Sequence, residues 1–373
     1  MTRIGFAYNQ KPEPIATQKA PAFARANAEP PSTGAGLATL VAPAPMTDDE
    51  FAEWDSPATI NAVANALAKY GEVIRLEATE EFPQRLRDAR PDIVFNIAEG
   101  LRGPNREAHV PAICEFYGIP YSGSDPFTLS LCLDKARTKE ILRARGVPTA
   151  DWWLVRSHDE LRALIARQPR FPLFAKPVHE GSSRGITEHN VIASMDALEP
   201  IVNELLECYA QPVLVETFLS GAEFTCGVLG NGTTARVLPI VGLNFGALPA
   251  GTLPVYGYEA KWLWDTPDAP LDIFTCPADI TPSLRAEIED VVLRAYQALG
   301  CRDWSRIDVR VSNDGRANVI EVNPLPGILP DTADNSCLPK AARAAGIHYD
   351  ELIGACLESA ALRQQIPLVR YAT

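Results

Sequence analysis

The segment 305–324, reading SRIDVRVSNDGRANVIEVNP, holds the side chains with the most direct chemistry. Asp314-Gly315 lies between two runs of alternating apolar residues, the signature of a two-residue hairpin turn. With those two residues as the loop, Asp308 faces Glu321 and Arg306 faces Asn323. Period-two alternation then puts all four on one face. Carboxylates directly opposite one another repel, and a cation between them removes the conflict. Hard oxygen ligands in this arrangement suit Mg²⁺, which bridges carboxylates to substrate phosphates more often than it occupies an all-protein cage. The alternative is an ordinary solvated sheet face.

Three further stretches can handle a nucleotide. Segment 171–177, FPLFAKP, ends an apolar run on Lys176, and HEGSSRG follows at 179–185. Gly181 and Gly185 let backbone approach a ligand, Ser182 and Ser183 offer donors, and such a turn beside a strand-end lysine can cradle phosphate oxygens. Many turns of this composition are merely surface loops. Segment 213–224, VLVETFLSGAEF, reads as strand, link and strand. Backbone groups of the link can face an adenine edge, and Glu223 can accept ribose hydroxyls. Solvated strand positions are the other reading of Glu216 and Glu223. Lys135 begins a helix and Lys261 lies in YGYEAKW at 256–262; a single lysine is most often a surface residue.

The elements that must position these groups alternate at first between strand and helix. A buried strand is predicted at 3–7. A helix follows, capped by Asp55 or Ser56 with Pro57 in its first turn. It presents Ile60, Val63, Ala64 and Leu67 on one face, and Gly71 stops it. Strands at 73–76 and 92–96 complete a parallel sheet with helices on it. Residues 11–46, with seven prolines and ten alanines, break this pattern and read as a long loop or disordered insertion, or as a lid. A helix at 134–145 is ended by Gly146 and Pro148. Beyond it, strands at 173–176, 213–216, 223–229, 234–240, 306–312 and 317–322 suggest antiparallel sheets, followed by a helix at 350–363. No internal repeat is visible.

The chain has 373 residues, 46% of them hydrophobic, enough for two or three domains with sizeable cores. A net charge of −13 argues against nucleic acid or an anionic membrane as partner, though not against a local phosphate site. The eight cysteines are scattered without a C-x-x-C pair, which fits buried free thiols in a reducing compartment. No stretch approaches the ~20 apolar residues of a membrane span. A cytoplasmic protein is expected.

Taken in order, GIPYSGSD (118–125), LDKA (133–136), FAKP with GSSRGI (174–186), VLVE with Glu223, YEAK (258–261), SRIDV (305–309) and IEVNPLPG (320–327) resemble the D-alanine–D-alanine ligase family of ATP-grasp enzymes. The resemblance runs from about Asp92 to the C-terminus. It implies the ATP-grasp fold, mixing α/β and α+β layers. A parallel-sheet domain at 1–128 is followed by a central domain at 129–211 and a C-terminal domain at 212–373. It also implies ATP between two sheets and two Mg²⁺ ions, which Mn²⁺ can replace. By position, Lys135 and Lys176 resemble the phosphate lysines, with Ser182 and Ser183 in the phosphate loop. Glu216 and Leu219 resemble the adenine link, Glu223 the ribose carboxylate, and Lys261 a mobile-loop lysine. Asp308, Glu321 and Asn323 resemble the metal ligands. Arg306 and Gly327 match positions that stabilise the transferred phosphate and the tetrahedral intermediate, and Ser336 matches a substrate-carboxylate serine. Residues 242–264 are the expected lid, and a homodimer is expected by analogy.

The departures fall on the amino-acid side. The family's Gly-Gly-x-Ser-x-Glu segment has no counterpart after the first strand, where Glu53 or Asp55 can substitute. Its His-Gly-x-x-Gly-Glu segment reads NIAEGLRGPNRE at 96–107. There Glu99 and Arg102 are candidate substrate contacts, and a loop ion pair is the alternative. The loop tyrosine is replaced by Trp262, and the link before Ser336 is longer. Three readings compete: a D-alanine–D-alanine ligase, a ligase of other amino acids or carboxylates, and a regulator that binds ATP without turnover.

Overall fold

The computed structural model describes residues 1–12, 51, 53–249, 252–257 and 271–371. Most of the Pro/Ala-rich stretch, and both Lys261 and Trp262, lie outside the described residues.

Strands β1 (Thr2–Tyr8), β2 (Gly71–Glu77) and β3 (Ile93–Asn96) form a parallel sheet in the order β2-β1-β3. Helices α1 (Pro57–Ala68), α2 (Phe82–Ala89) and α3 (His109–Tyr117) accompany them. Ser56 is the cap of α1: its Oγ accepts from the Thr59 amide at 3.2 Å. The predicted apolar stripe of α1, Ile60, Val63, Ala64 and Leu67, is buried. Gly71 does not stop this helix, which ends in right-handed geometry at Lys69. Gly71 instead opens β2, where an added Cβ would lie 2.0 Å from the Thr2 carbonyl oxygen. A close approach of two strands, not a helix cap, requires glycine there.

Helices α4 (Pro126–Leu133) and α5 (Lys135–Ala144) lead to a second sheet. Its strands β4 (Trp152–Val155), β5 (Leu173–Pro177), β6 (Val191–Ile192) and β7 (Val213–Thr217) run in the antiparallel order β4-β7-β5-β6. Helices α6 (His158–Ala166) and α7 (Met195–Tyr209) bury Leu161, Leu164, Leu198 and Val202 with the sheet's Leu173, Ala175, Val213 and Val215. The expected division at 211/212 separates β7 from its partners; the sheet itself runs to Thr217.

The third sheet contains β8 (Glu223–Leu229), β9 (Arg236–Val237), β10 (Val241–Leu243), β11 (Phe274–Thr275), β12 (Trp304–Val311) and β13 (Ala317–Asn323). Its order is β11-β10-β8-β12-β13, with β9 on β8. The long helix α8 (Pro282–Leu299) packs Ile288, Val291, Val292 and Ala295 against Ile307, Val309, Val319 and Val322. The expected strand at 234–240 shrinks to Arg236–Val237. Residues 232–234 form a single 3₁₀ turn, and Pro239, which has no N–H to donate, separates β9 from β10.

Helices α9 (Cys337–Ala344) and α10 (Tyr349–Arg363) return the chain to its start. Leu352, Ile353, Cys356 and Leu357 of α10 share a core with Ile60, Val63 and Leu67 of α1. The Tyr70 hydroxyl donates to Glu358 at 2.8 Å, and Lys69 pairs with Asp350 at 2.5 Å. Among the described residues no helix is long and apolar enough to cross a membrane.

Candidate functional site

The ribbon β12–β13 fixes the site. Asp308 faces Glu321 and Arg306 faces Asn323, as predicted, but by a different route. The loop holds three residues, Asn313 to Gly315, since the Ser312 amide donates to the Arg316 carbonyl at 2.9 Å and Val311 faces Ala317. Gly315 takes φ 83°, the left-handed geometry such a loop needs. That register alone would set Asp308 against Ile320 and send Glu321 to the opposite face. A β-bulge corrects it: Val309 faces Val319 while Asp308 faces Glu321, leaving Ile320 unpaired. Ile320, Glu321 and Asn323 consequently all line one cavity.

That cavity, of about 320 Å³, lies between the second and third sheets and extends to residues of the first segment. Lys135, Lys176, Ser182, Ser183, Glu216 and Leu219 line it from one side. Glu223, Arg306, Asp308, Glu321, Asn323, Gly327 and Ser336 line it from the other. Glu99 joins them from the loop after β3. Arg102 does not: it is exposed and away from the cavity. One helical turn's worth of chain later, Arg106 points inward, its guanidinium 2.7 Å from Glu53 and 3.0 Å from the His179 carbonyl oxygen. Arg106, not Arg102, is the structured arginine of this loop.

Cations hold the acidic groups in place. Lys135 Nζ lies 3.1 Å from Glu321, and Arg306 lies 3.1 Å from Asp308, which also accepts from Thr225 at 2.9 Å. The facing carboxylates are driven apart in pKa, as like charges in one site are. Burial pushes Glu321 up, but Lys135, Lys176 and Arg306 outweigh it and hold the carboxyl at about 2. Burial raises Asp308, with Glu321 adding to the effect and Arg306 opposing it.

Glu216 forms a second clamp. Its two oxygens are 2.8 Å from Lys176 and 2.6 Å from Lys139, all three side chains being buried. Burial favours the neutral acid there, yet the two ammonium groups hold Glu216 at about 2. Lys139 also donates to Thr149 at 2.7 Å, and Thr149 donates to the Val319 carbonyl at 2.8 Å, tying the second sheet to the third. Sequence reasoning missed Lys139; its spacing of i+4 from Lys135 places both on one face of α5 and was the available signal. Arg310 was also missed. It pairs with Glu223 at 2.8 Å, but burial still raises that carboxyl to about 7.

Ser182 and Ser183 take φ 49° and 61°, left-handed values that non-glycine residues adopt at a cost, and which commonly mark functional turns. An added Cβ at Gly181 would lie 2.2 Å from Glu53 Oε1, so a side chain there would push the Glu53 carboxylate aside. The described part of the expected lid covers this turn. Ser183 donates to the Tyr256 carbonyl at 3.2 Å, and Arg310 donates to that of Pro254 at 2.8 Å. Ser336 accepts from the Leu329 amide at 3.1 Å and donates to Gly327 at 3.2 Å, fixing the loop after β13.

The donor set fits magnesium. Among the described residues no three His, Cys, Asp or Glu side chains gather as a closed metal cage. Two carboxylates and the Asn323 amide on one ribbon face are the open set that Mg²⁺ adopts when phosphate supplies its other oxygens.

A family model described as D-ala D-ala ligase C-terminus matches residues 141–358. The D-alanine–D-alanine ligase of Actinobacillus pleuropneumoniae serotype 5b is 35% identical over 302 residues, covering 80% of this chain and 91% of the relative. That of Bordetella pertussis is 37% identical over 274 residues, 74% of this chain and 80% of the relative. An uncharacterized protein of Sinorhizobium fredii, y4sG, is 35% identical over 272 residues, 72% of this chain and 74% of its own. The crystal structure of a Bacillus anthracis D-alanine–D-alanine ligase complexed with ATP superposes with a TM-score of 0.66 at 22% identity, covering 98% of this chain and 99% of that one.

Proposed function

The chain belongs to the D-alanine–D-alanine ligase family, and from that membership we propose that it uses ATP to join an amino-acid carboxylate to the amine of a second substrate, through an acylphosphate. The observation that carries this reading is the convergence of Lys135, Lys176, Arg306, Asp308, Glu321 and Asn323 on one cavity.

In this reading the adenine lies along the link after β7, near Glu216 and Leu219, and Glu223 accepts the ribose hydroxyls. Lys135 and Lys176 exchange their carboxylate partners for phosphate oxygens, while Lys139 keeps Glu216 neutralised. The serine turn supplies donors to the phosphates, and Lys261 reaches them from the lid. Asp308, Glu321 and Asn323 would hold magnesium, which would supply positive charge against the phosphates. The substrate carboxylate oxygen attacks the γ-phosphorus, the bond to the β-phosphate oxygen breaks, and ADP leaves. The amine of the second substrate then attacks the acyl carbon. The tetrahedral adduct expels inorganic phosphate, and the amine loses a proton. Arg306 and the Gly327 region face the charge that develops in both steps. Ser336 and Trp262 belong to the amino-acid end, and the segment over Ser183 keeps water from the acylphosphate.

We also propose three structural units, with the division between the second and third placed after Thr217. A cytoplasmic homodimer acting on small molecules completes the reading. Substrates other than D-alanine are favoured by one feature: the acidic groups Glu53, Asp55, Glu99 and Glu107 on the first segment's side of the cavity. ATP-dependent phosphate release, screened over D- and L-amino acids singly and in pairs, tests the function. Release that requires an amino acid supports it, and no release with any of them removes it.

A further inference from the structure

The first segment's wall of the cavity gathers more carboxyl groups than the described cations pair. Glu53, Asp55, Glu99 and Glu107 line it. Glu53 is taken by Arg106 at 2.7 Å, and Asp55 is faced by Lys11. Among the described residues the side chains of Glu99 and Glu107 make no hydrogen bond or ion pair. Glu107 is only 9% exposed, and what remains open of it faces the cavity. Arg106 and Lys135 act on Glu107 across space but do not bond to it. Arg106 is bound between Glu53 and the His179 carbonyl, and Lys135 is held by Glu321 and the Glu180 carbonyl.

Buried carboxyls in proteins are either paired or held neutral. Among the described residues no group pairs these two, and the space beside them is a ligand cavity. Four carboxyl groups meet two cations, and burial raises Glu99 and Glu107, the latter to about 8, so the unpaired two are held protonated until a cation displaces the proton. An α-amino acid with a neutral side chain brings one ammonium. A dibasic one brings two.

We propose that Glu99 and Glu107 form a subsite for a side-chain ammonium or guanidinium, so that one substrate of this ligase is a dibasic amino acid. This rests on the ligase reading above. Binding is therefore measured apart from turnover. Calorimetry on the full chain loaded with Mg²⁺ and a non-hydrolysable ATP analogue compares lysine and ornithine, in both enantiomers, with norleucine and norvaline. A cationic ligand binds at least about tenfold tighter than its neutral isostere. Glu107→Gln and Glu99→Gln, which keep shape and remove charge, each bring the two within about twofold of one another. Their melting midpoints verify folding.

Equal binding of lysine and norleucine by the unaltered protein overturns the subsite. So does a cation preference that survives both substitutions, or failure of every cationic ligand to bind. Phosphate release reads the other question. Release at equal rates with neutral and cationic amino acids keeps the ligase and removes the subsite. A cation preference in binding with no release from any pair keeps the subsite and removes the ligase.

Discussion

Glu321 is ionised at every working pH because three cations outweigh its burial, and in our account its charge is what joins Lys135, the metal and the phosphates. Glu321→Gln keeps the shape and removes the charge. Phosphate release should fall by about 100-fold or more, with the melting midpoint preserved; comparable release by the variant would contradict the metal assignment. Glu223 makes the opposite test, through pH. Its folded pKa of about 7 lies above the usual carboxyl value, so between about 4.3 and 7 the folded state binds the extra proton. Stability is lost as pH rises through that window, because the buried carboxyl must ionise. Glu223→Gln removes that loss. The variant's melting midpoint should gain on the unaltered protein's from pH 4.5 to pH 7.5, and a constant gap would contradict it. Asp308, Glu321 and Lys176 were legible in the sequence because strand alternation and a glycine-serine turn mark them. Lys139, Arg310 and Glu107 were not: their importance comes from burial and from partners distant in sequence.

The β12–β13 ribbon shows how an element can be read correctly for an incomplete reason. A two-residue loop without a bulge and a three-residue loop with one give the same pairing at Asp308 and Glu321. Sequence pattern favours Asp-Gly as the loop, but it carries no mark for the extra residue at Ile320. Deleting Asn313 leaves an Asp314-Gly315 loop closing the same Ser312–Arg316 pair, with the bulge untouched. Phosphate release should then stay within about threefold, measured against the unaltered chain. Loss of activity would mean that the turn, and not the bulge, sets the register at the carboxylates. The strand expected at 234–240 failed for a plainer reason, as a 3₁₀ turn takes its start and Pro239, with no N–H to donate, separates Arg236–Val237 from β10. Assignment of Val213–Thr217 to the second sheet was hidden because β7 finds its partners from 152 and 173 onward, and local pattern does not report which sheet a strand joins.

Across the whole molecule, the alternation of strand and helix followed by hairpin-like strands was enough to order a parallel sheet before antiparallel ones. The return of α10 onto α1, which ties the end of the chain to its beginning, was not legible, since two amphipathic helices do not announce each other. Gly354 is the contact point: an added Cβ would lie 2.2 Å from the Tyr70 hydroxyl oxygen. Gly354→Ala should therefore lower stability by about 1–3 kcal/mol despite alanine's better helix propensity, as read by denaturant unfolding; a stabilised variant would contradict this packing. Residues from all three sheets' surroundings line one cavity in which, in our proposal, a carboxylate is activated by ATP. The most direct test labels that carboxylate with ¹⁸O, using the amino acid that gives the fastest release in the screen, and follows the released phosphate by ³¹P NMR. The account predicts one ¹⁸O atom carried from substrate to phosphate in each turnover; unlabelled phosphate would mean that water, not the substrate carboxylate, receives the γ-phosphoryl group.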